Sequence, residues 1–386
     1  MFPGSLVEDD MPAQRGVNQL KIERIDVYQK TYTVVEEVYA WSRGRSVSSL
    51  DGTVVKLTTG EGLVGYGECV PLGPAYMPSY AEGVRTGVRE LGPQLIGLDP
   101  LHLKAINTFM DSVMSGHGYV KTPIDIACWD LLGKATGQPI STLLGARYVE
   151  DFPIYRALSQ GTPEEMVESA ARYRAQGIRH FQMKVGGTAD EDIPRIKAVL
   201  DSVQDGEVVV ADANTGWNLH QATRVVNALR GERVYIEQPC PTLAECLSVR
   251  SRTSLPMVLD EVITGVPAFL EAYRQSAMDV INIKVSRVGG LTKAAQLRDL
   301  AQDLGVAVDL EDAASSDIMA AALAHLVAST RPEAFFTASI WNYRLRESIS
   351  PDAPRPENGR VPVPKGPGLG ITIDEEALGP PLFSIT

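Results

Sequence analysis

The sequence predicts an α/β protein: a closed (β/α) barrel preceded by a small α+β domain. Three observations carry this expectation. From Phe152 onward, short apolar strands alternate with helical runs, the pattern of a parallel sheet. There are about eight such strands, enough to close a barrel rather than leave an open sheet. Before them, strand-like alternation gives way near Tyr80 to a helical period of about 3.6 residues.

Taken in order, residues 1–18 carry Glu8, Asp9 and Asp10 and lack both a basic start and an apolar stretch. They read as a flexible tail rather than a signal peptide. Residues 19–148 form the α+β domain. The run 20–27 alternates apolar and polar residues, and 52–58 pairs with 63–69 across a glycine turn. Gly60-Glu61-Gly62-Leu63-Val64-Gly65 matches the dinucleotide pattern literally. That pattern needs a helix N-terminus to hold a pyrophosphate. Here the glycines lead into a strand instead, so a nucleotide site is rejected. Helices are expected at 80–91, 101–114 and 123–136, with a stop at Gly137-Gln138-Pro139.

The cut to the barrel falls near 147–151, and the barrel spans 149–344. Its strands are expected at 152–159, 180–185, 207–213, 233–238, 256–260, 279–284, 306–311 and 335–340. Helical runs at 164–175, 191–203, 220–229 and 293–304 separate them, and an eighth helix has the least support. Residues 345–386 are rich in Pro and Gly and read as a non-helical segment returning to the N-terminal domain.

Composition excludes several functions. Lys plus Arg is 36 against 48 for Asp plus Glu, a net charge of −12, with no basic run to hold nucleic acid. No apolar stretch is long enough to span a membrane; the richest, 318–328, is broken by His325. The four cysteines, Cys69, Cys128, Cys240 and Cys246, form no CxxC pair, which argues against a zinc ribbon or a dithiol redox centre. Unpaired thiols without an export signal fit a reducing cytoplasm.

Catalytic groups of a (β/α) barrel sit at the C-terminal ends of its strands. Those ends read Lys184, Asp212-Ala213-Asn214, Glu237-Gln238, Asp260-Glu261, Lys284 and Glu311-Asp312. Asp212, Glu237 and Asp260 are each separated by one β/α unit, so they should stand side by side at one rim. Any one of them could be an ordinary surface acid; three at matching strand ends would repel unless a cation joined them. Hard oxygen ligands suit Mg²⁺. Lys184 and Lys284 flank the trio from the neighbouring strands. A bound cation and a second ammonium would both disfavour protonation, so either lysine is expected to titrate low enough to act as a base.

These residues resemble the enolase superfamily, in its muconate-lactonizing-enzyme-like subgroup, over nearly the whole chain. The resemblance rests on Ala127-Cys128-Trp129-Asp130, Gly133-Lys134 with Gly137-Gln138-Pro139, Met183-Lys184-Val185-Gly186, Asp212-Ala213-Asn214, Ile236-Glu237-Gln238-Pro239 and Leu259-Asp260-Glu261. Lys284 with Gly289-Gly290-Leu291-Thr292 and the closing Gly366-Pro367-Gly368-Leu369-Gly370 complete it. It implies a modified (β/α)7β TIM-type barrel under an α+β capping domain formed by the N-terminal region and the C-terminal tail. It implies Mg²⁺ on Asp212, Glu237 and Asp260, and removal of the proton α to a carboxylate to give a metal-stabilised enediolate. Lys or His bases beside Mg²⁺ are an established pattern of that superfamily. It also implies a homo-oligomer. A mandelate-racemase-type site needs a histidine near the end of strand seven. None of His102, His117, His180, His220 and His325 stands there, which favours the lysine pair. The subgroup usually has Lys-x-Lys on strand two; here Gln182 replaces the first lysine.

Two opposed lysines permit racemisation, with one removing the proton and the other returning it. The same intermediate could expel a β-hydroxyl, or close a lactone. Tyr76 in a loop that could form a lid, Trp341 at the end of strand eight, and Glu311 and Asp312 on strand seven could form an anionic, aromatic pocket for an ammonium group. Gln182 and Asn214 join them as candidate substrate-binding residues. The pattern resembles subgroup members acting on proline-like amino acids and betaines. The expectation is therefore an isomerase, a racemase or epimerase of an amino-acid-like substrate of the proline or hydroxyproline betaine class, with a cis-3-hydroxyproline-type dehydratase as the alternative. A lactonizing cycloisomerase or a non-catalytic binding protein ranks below both.

Overall fold

The computed structural model describes residues 20–35 and 39–386; the tail expected at 1–18 lies outside the described residues. The capping region opens with β1 (Ile22–Thr33), the small hairpin β2 (Tyr39–Trp41) and β3 (Arg45–Val47), then β4 (Ser49–Thr59) and β5 (Val64–Cys69). The Gly60–Gly65 run covers the β4–β5 turn and the first two residues of β5. Helices α1 (Ala81–Leu91), α2 (Leu103–Val113), α3 (Gly118–Thr136) and α4 (Ile140–Leu143) come next. Helix α3 starts five residues before the expected Pro123, which lies inside it. That proline leaves the helix ladder one N–H short. A Cβ on Gly65 or Gly67 would collide with the carbonyls of Ala127 and Pro123, so β5 crosses the helix at backbone contact.

The barrel begins after β6 (Asp151–Pro153). Its units are β7 (Tyr155–Leu158), α5 (Pro163–Ala175), β8 (His180–Lys184), α6 (Ala189–Asp201), β9 (Val208–Asp212), α7 (Leu219–Ala228), β10 (Tyr235–Glu237) and α8 (Leu243–Arg250). Then come β11 (Met257–Leu259), α9 (Val266–Arg274), β12 (Val280–Lys284), α10 (Val285–Val288), α11 (Leu291–Asp303), β13 (Ala307–Glu311), α12 (Asp317–Ala328) and β14 (Phe335–Ala338). The eight parallel strands pair in chain order from β7 to β14, a nearly closed barrel. The first expected strand, 152–159, divides in two. Its start is β6, which pairs with β15 (Arg360–Pro362), and only Tyr155–Leu158 joins the barrel. In place of an eighth helix there is a single 3-10 turn, Asn342–Arg344.

The return segment is more structured than its composition indicates. Beyond β15 it forms α13 (Glu375–Leu378) and β16 (Phe383–Ile385), and β16 pairs antiparallel with β1. Each element is three or four residues long, too short to leave a period in the sequence. The capping sheet therefore runs β16-β1-β4-β5.

Two buried carboxylates dock the capping region on the barrel. Glu68 on β5 accepts from Ser316 N at 2.8 Å and Met319 N at 3.1 Å, at the start of α12. Asp125 on α3 accepts from Thr292 N at 3.0 Å and Thr292 Oγ1 at 2.6 Å, at the start of α11. Both satisfy backbone N–H groups that a helix start leaves open, where negative charge is favoured. No helix among the described residues is long and apolar enough to cross a membrane.

Candidate active site

Strand register assembles the site. Cα partners Lys184 and Asp212 are adjacent on β8 and β9, Asp212 and Glu237 on β9 and β10, and Lys284 and Glu311 on β12 and β13. Asp260 comes directly after β11. Alternation puts Gln182 two residues below Lys184 on the same inward face, and Asn282 two below Lys284. All these side chains are buried.

The charges interlock. Lys184 Nζ donates to Asp212 Oδ2 at 2.5 Å. Lys284 Nζ donates to Asp260 Oδ2 and Glu311 Oε1, each at 2.7 Å. Arg287 Nη2 forms a second ion pair with Asp260 Oδ1 at 2.8 Å. Glu237 has no cation partner among these; the Gln182 amide donates to it at 2.8 Å and the Asn282 amide at 3.2 Å. Burial pushes Glu237 well above the usual carboxylate range, and the charges of Asp212 and Asp260 push it further. Burial raises Asp212 too, against the pull of Lys184. Burial would also raise Asp260, but Arg287 and Lys284 hold it low. Glu261 rises to about 8 through burial and the adjacent Asp260 charge.

Both lysines are in direct contact with carboxylates. Burial works to lower both, yet the carboxylates in contact carry Lys184 and Lys284 well above the ordinary lysine value. A bound cation and a second ammonium would act in the opposite direction.

A divalent cation fits this set. Asp212, Glu237 and Asp260 are three buried carboxylates at consecutive strand ends, and besides burial the charges of neighbouring acids raise Asp212 and Glu237. Glu311 also belongs to the acidic rim: Glu237, Asp260 and Glu311 bring one oxygen each within 4.8 Å of one another. Lys284 already bridges Asp260 and Glu311, so that edge has a resident charge. Asp212 and Glu237 lack one that both share.

The expected pocket residues divide. Tyr76, Glu311 and Trp341 line one cavity with both lysines, a space of about 10 Å³. Tyr76 OH lies 3.5 Å from Asp260 Oδ2. Gln182 is turned to Glu237, and the Asn214 amide donates to Glu261 at 3.3 Å. Asp312 also lines the cavity, but its Oδ1 accepts from Ser286 N at 3.1 Å and Ser286 Oγ at 2.5 Å. Larger grooves of about 330 Å³ beside Arg156 and 550 Å³ beside Arg233 hold none of the converging acids.

Sequence reasoning missed Tyr39, Tyr155, Asn282, Arg287 and Arg344. Tyr155 OH donates to Glu311 Oε2 at 2.5 Å, and Arg287 also donates to the Asp260 carbonyl at 2.8 Å. Alternation on β7 and β12 could have found Tyr155 and Asn282. Nothing periodic marks Tyr39 or Arg344.

Comparison with known proteins agrees with this geometry. Residues 165–377 match the enolase C-terminal domain-like family, and 34–145 match the mandelate racemase/muconate lactonizing enzyme N-terminal domain. A cis-3-hydroxy-L-proline dehydratase of Roseibium aggregatum is 50% identical over 363 residues, covering 94% of this chain and 99% of that one. An N-succinyl-L-Arg/Lys racemase of Bacillus cereus is 32% identical over 86% of this chain and 90% of its own. Among solved structures, a mandelate racemase/muconate lactonizing enzyme-type protein of Roseovarius nubinhibens, complexed with magnesium, superposes with a TM-score of 0.91. It is 33% identical and covers 95% of this chain and 100% of that one. The chain belongs to the mandelate racemase/muconate lactonizing enzyme family of the enolase superfamily.

Proposed function

We propose that the protein is a Mg²⁺-dependent dehydratase of a cis-3-hydroxyproline-type amino acid. The observation that carries the reading is the pair of buried lysines on β8 and β12, four strands apart in an eight-stranded barrel, with the acids between them. The 50% identical dehydratase supports this substrate over the racemase expectation.

Asp212, Glu237 and Asp260 would hold the ion, with Gln182 and Asn282 orienting Glu237 from below. Bound there, magnesium would draw carboxylate charge away from the lysines and stabilise the charge that builds on the substrate carboxylate. One lysine, as the neutral amine, takes the α-proton. The ammonium of the other donates a proton to the departing hydroxyl. The electron pair of the broken C–H bond becomes the Cα=Cβ bond, and water leaves. In the cis isomer the hydroxyl shares the carboxylate's face of the ring. The α-hydrogen and the hydroxyl therefore lie on opposite faces, and lysines on opposite sides can reach one each. General acid–base groups so positioned contribute about 10²–10⁴-fold each.

The test is isomer choice. Proton NMR of the Mg²⁺-loaded protein should show loss of the C3 hydroxyl-bearing signal from cis-3-hydroxy-L-proline, and at most about a hundredth of that rate with the trans isomer. Equal rates would defeat the opposed-lysine geometry. Inversion at Cα without hydroxyl loss would establish the second reading, racemisation, which the same lysine pair permits.

A further inference from the structure

The aromatic wall above the lysines is already occupied by the chain's own cations. Tyr39 has the Lys184 ammonium 5.8 Å from its ring centroid and the Arg344 guanidinium at 5.3 Å. Lys284 lies 5.7 Å from the Tyr76 ring, and Arg344 lies 4.7 Å from the Trp341 ring. Tyr343, at the edge of the same cavity, has Arg156 at 4.7 Å. Cations are drawn to ring faces within about 6 Å of the centroid. A ring that already holds one offers a ligand cation less, and adds like-charge repulsion at short range.

Arg344 is fixed through its backbone. It ends the 3-10 turn Asn342–Arg344, and its N–H donates to the Trp341 carbonyl at 2.8 Å. Trp341 and Arg344 are thus one turn apart and stack. The Arg344 carbonyl accepts from Val35 N at 2.9 Å, and Leu345 bridges Val34. Asn342, at the start of the turn, donates to Asp317 at 3.0 Å and to the Pro354 carbonyl at 3.0 Å. Arg344 is 4% exposed. A guanidinium keeps its charge at every working pH, whereas a lysine must give up its proton to act as a base.

The same cavity offers an anionic acceptor, Glu311. An amine bearing N–H can donate to that carboxylate in a charge-assisted hydrogen bond. A quaternary ammonium has no N–H and depends on open ring faces. We infer that Arg344 sets the amine class of the substrate: the site takes amino acids whose nitrogen carries N–H, and rejects quaternary ammonium forms such as betaines. This rests on the reading of the site as one for a prolyl-type amino acid, and removes the betaine branch of the sequence-based expectation.

The experiment uses the Mg²⁺-loaded full chain and two non-turnover ligands, L-proline and its N,N-dimethyl betaine, by titration calorimetry. The wild-type protein should bind proline at least about tenfold more tightly than the betaine. Arg344→Met should shrink that ratio at least about tenfold, and Arg344→Gln, a smaller neutral replacement, should do the same. Thermal melting identifies the variants that fold. An unchanged ratio in a folded variant, or wild-type protein that binds the betaine as tightly as proline, overturns the inference. Binding of neither ligand by the wild type overturns both the inference and the substrate reading. Failure of dehydration alone appears as no hydroxyl loss from cis-3-hydroxy-L-proline, and leaves the binding ratio readable.

Discussion

The two sides of the active site are built by different rules. On the barrel side, Lys184, Asp212, Glu237, Lys284 and Glu311 occupy positions set by strand register, each hydrogen-bonded or ion-paired to a neighbour. On the capping side, Tyr39 comes from a three-residue strand and Tyr76 from the loop before α1, and both present ring faces to the lysines. Register fixes a charge within tenths of an ångström; loops present surface. On the proposed reading, the chemistry resides in the barrel, and the choice of substrate in what the cap and the turn after β14 bring over it.

The sharpest way to break this division is to remove a lysine. Lys184→Ala and Lys284→Ala should each lower kcat by about 10³-fold, the scale of a lost general acid or base, while circular dichroism stays native. A loss under tenfold in either would move the chemistry off the barrel. One layer below, Gln182→Met removes the amide that orients Glu237. It should weaken Mg²⁺ about 10–100-fold, measured by calorimetry, because partners of metal ligands act on that scale. Unchanged Mg²⁺ affinity would return Gln182 to a role toward substrate.

Docking of the cap is a separate matter from catalysis. Asp125→Ala leaves the Thr292 amide without its acceptor and should cost about 1–3 kcal/mol in denaturant unfolding, with kcat within about threefold of wild type. His325 ties the same two regions. It accepts from Ser141 N at 3.3 Å through Nδ1, so its Nε2–H faces the Leu369 carbonyl at 3.0 Å. Burial lowers it from 6.5 to about 4. Between those values the unfolded chain binds the proton and the folded one does not. Stability should thus be complete above pH 6.5 and fall as pH drops toward 4. His325→Gln should flatten that slope in melting temperature against pH; a slope unchanged by the substitution would place the acid sensitivity elsewhere. The smallest effect is expected from Tyr39→Phe: a change of a few-fold in KM with kcat nearly constant. A fall in kcat with KM unchanged would give the cap a chemical role.

Much of the barrel side was legible in the sequence. The apolar strands leading to Lys184, Asp212, Glu237, Asp260 and Lys284 are short, and each runs into a charge at the rim where barrels place their sites. The direct pairing of the lysines with Asp212, Asp260 and Glu311 within 2.7 Å was not legible, because it is a tertiary fact. The start of α3 was missed because Pro123 resembles a helix start, yet the helix begins five residues earlier at Gly118. Tyr39 and Arg344 lay beyond reach for a different reason. They sit in a three-residue strand and a three-residue turn, and only pairing between Val34–Val35 and the 344–345 backbone brings them together.

On the proposed reading, two lysines on opposite sides of the acid cluster divide the roles of base and acid. Incubating Lys184→Ala and Lys284→Ala with Mg²⁺ and cis-3-hydroxy-L-proline in D₂O tests it most directly, with proton NMR on Cα and C3. The account predicts an asymmetric result. The variant that keeps the base should exchange the α-proton for deuterium without losing the hydroxyl, and the variant that lacks it should do neither. Hydroxyl loss in both variants within tenfold of the wild-type rate would contradict it.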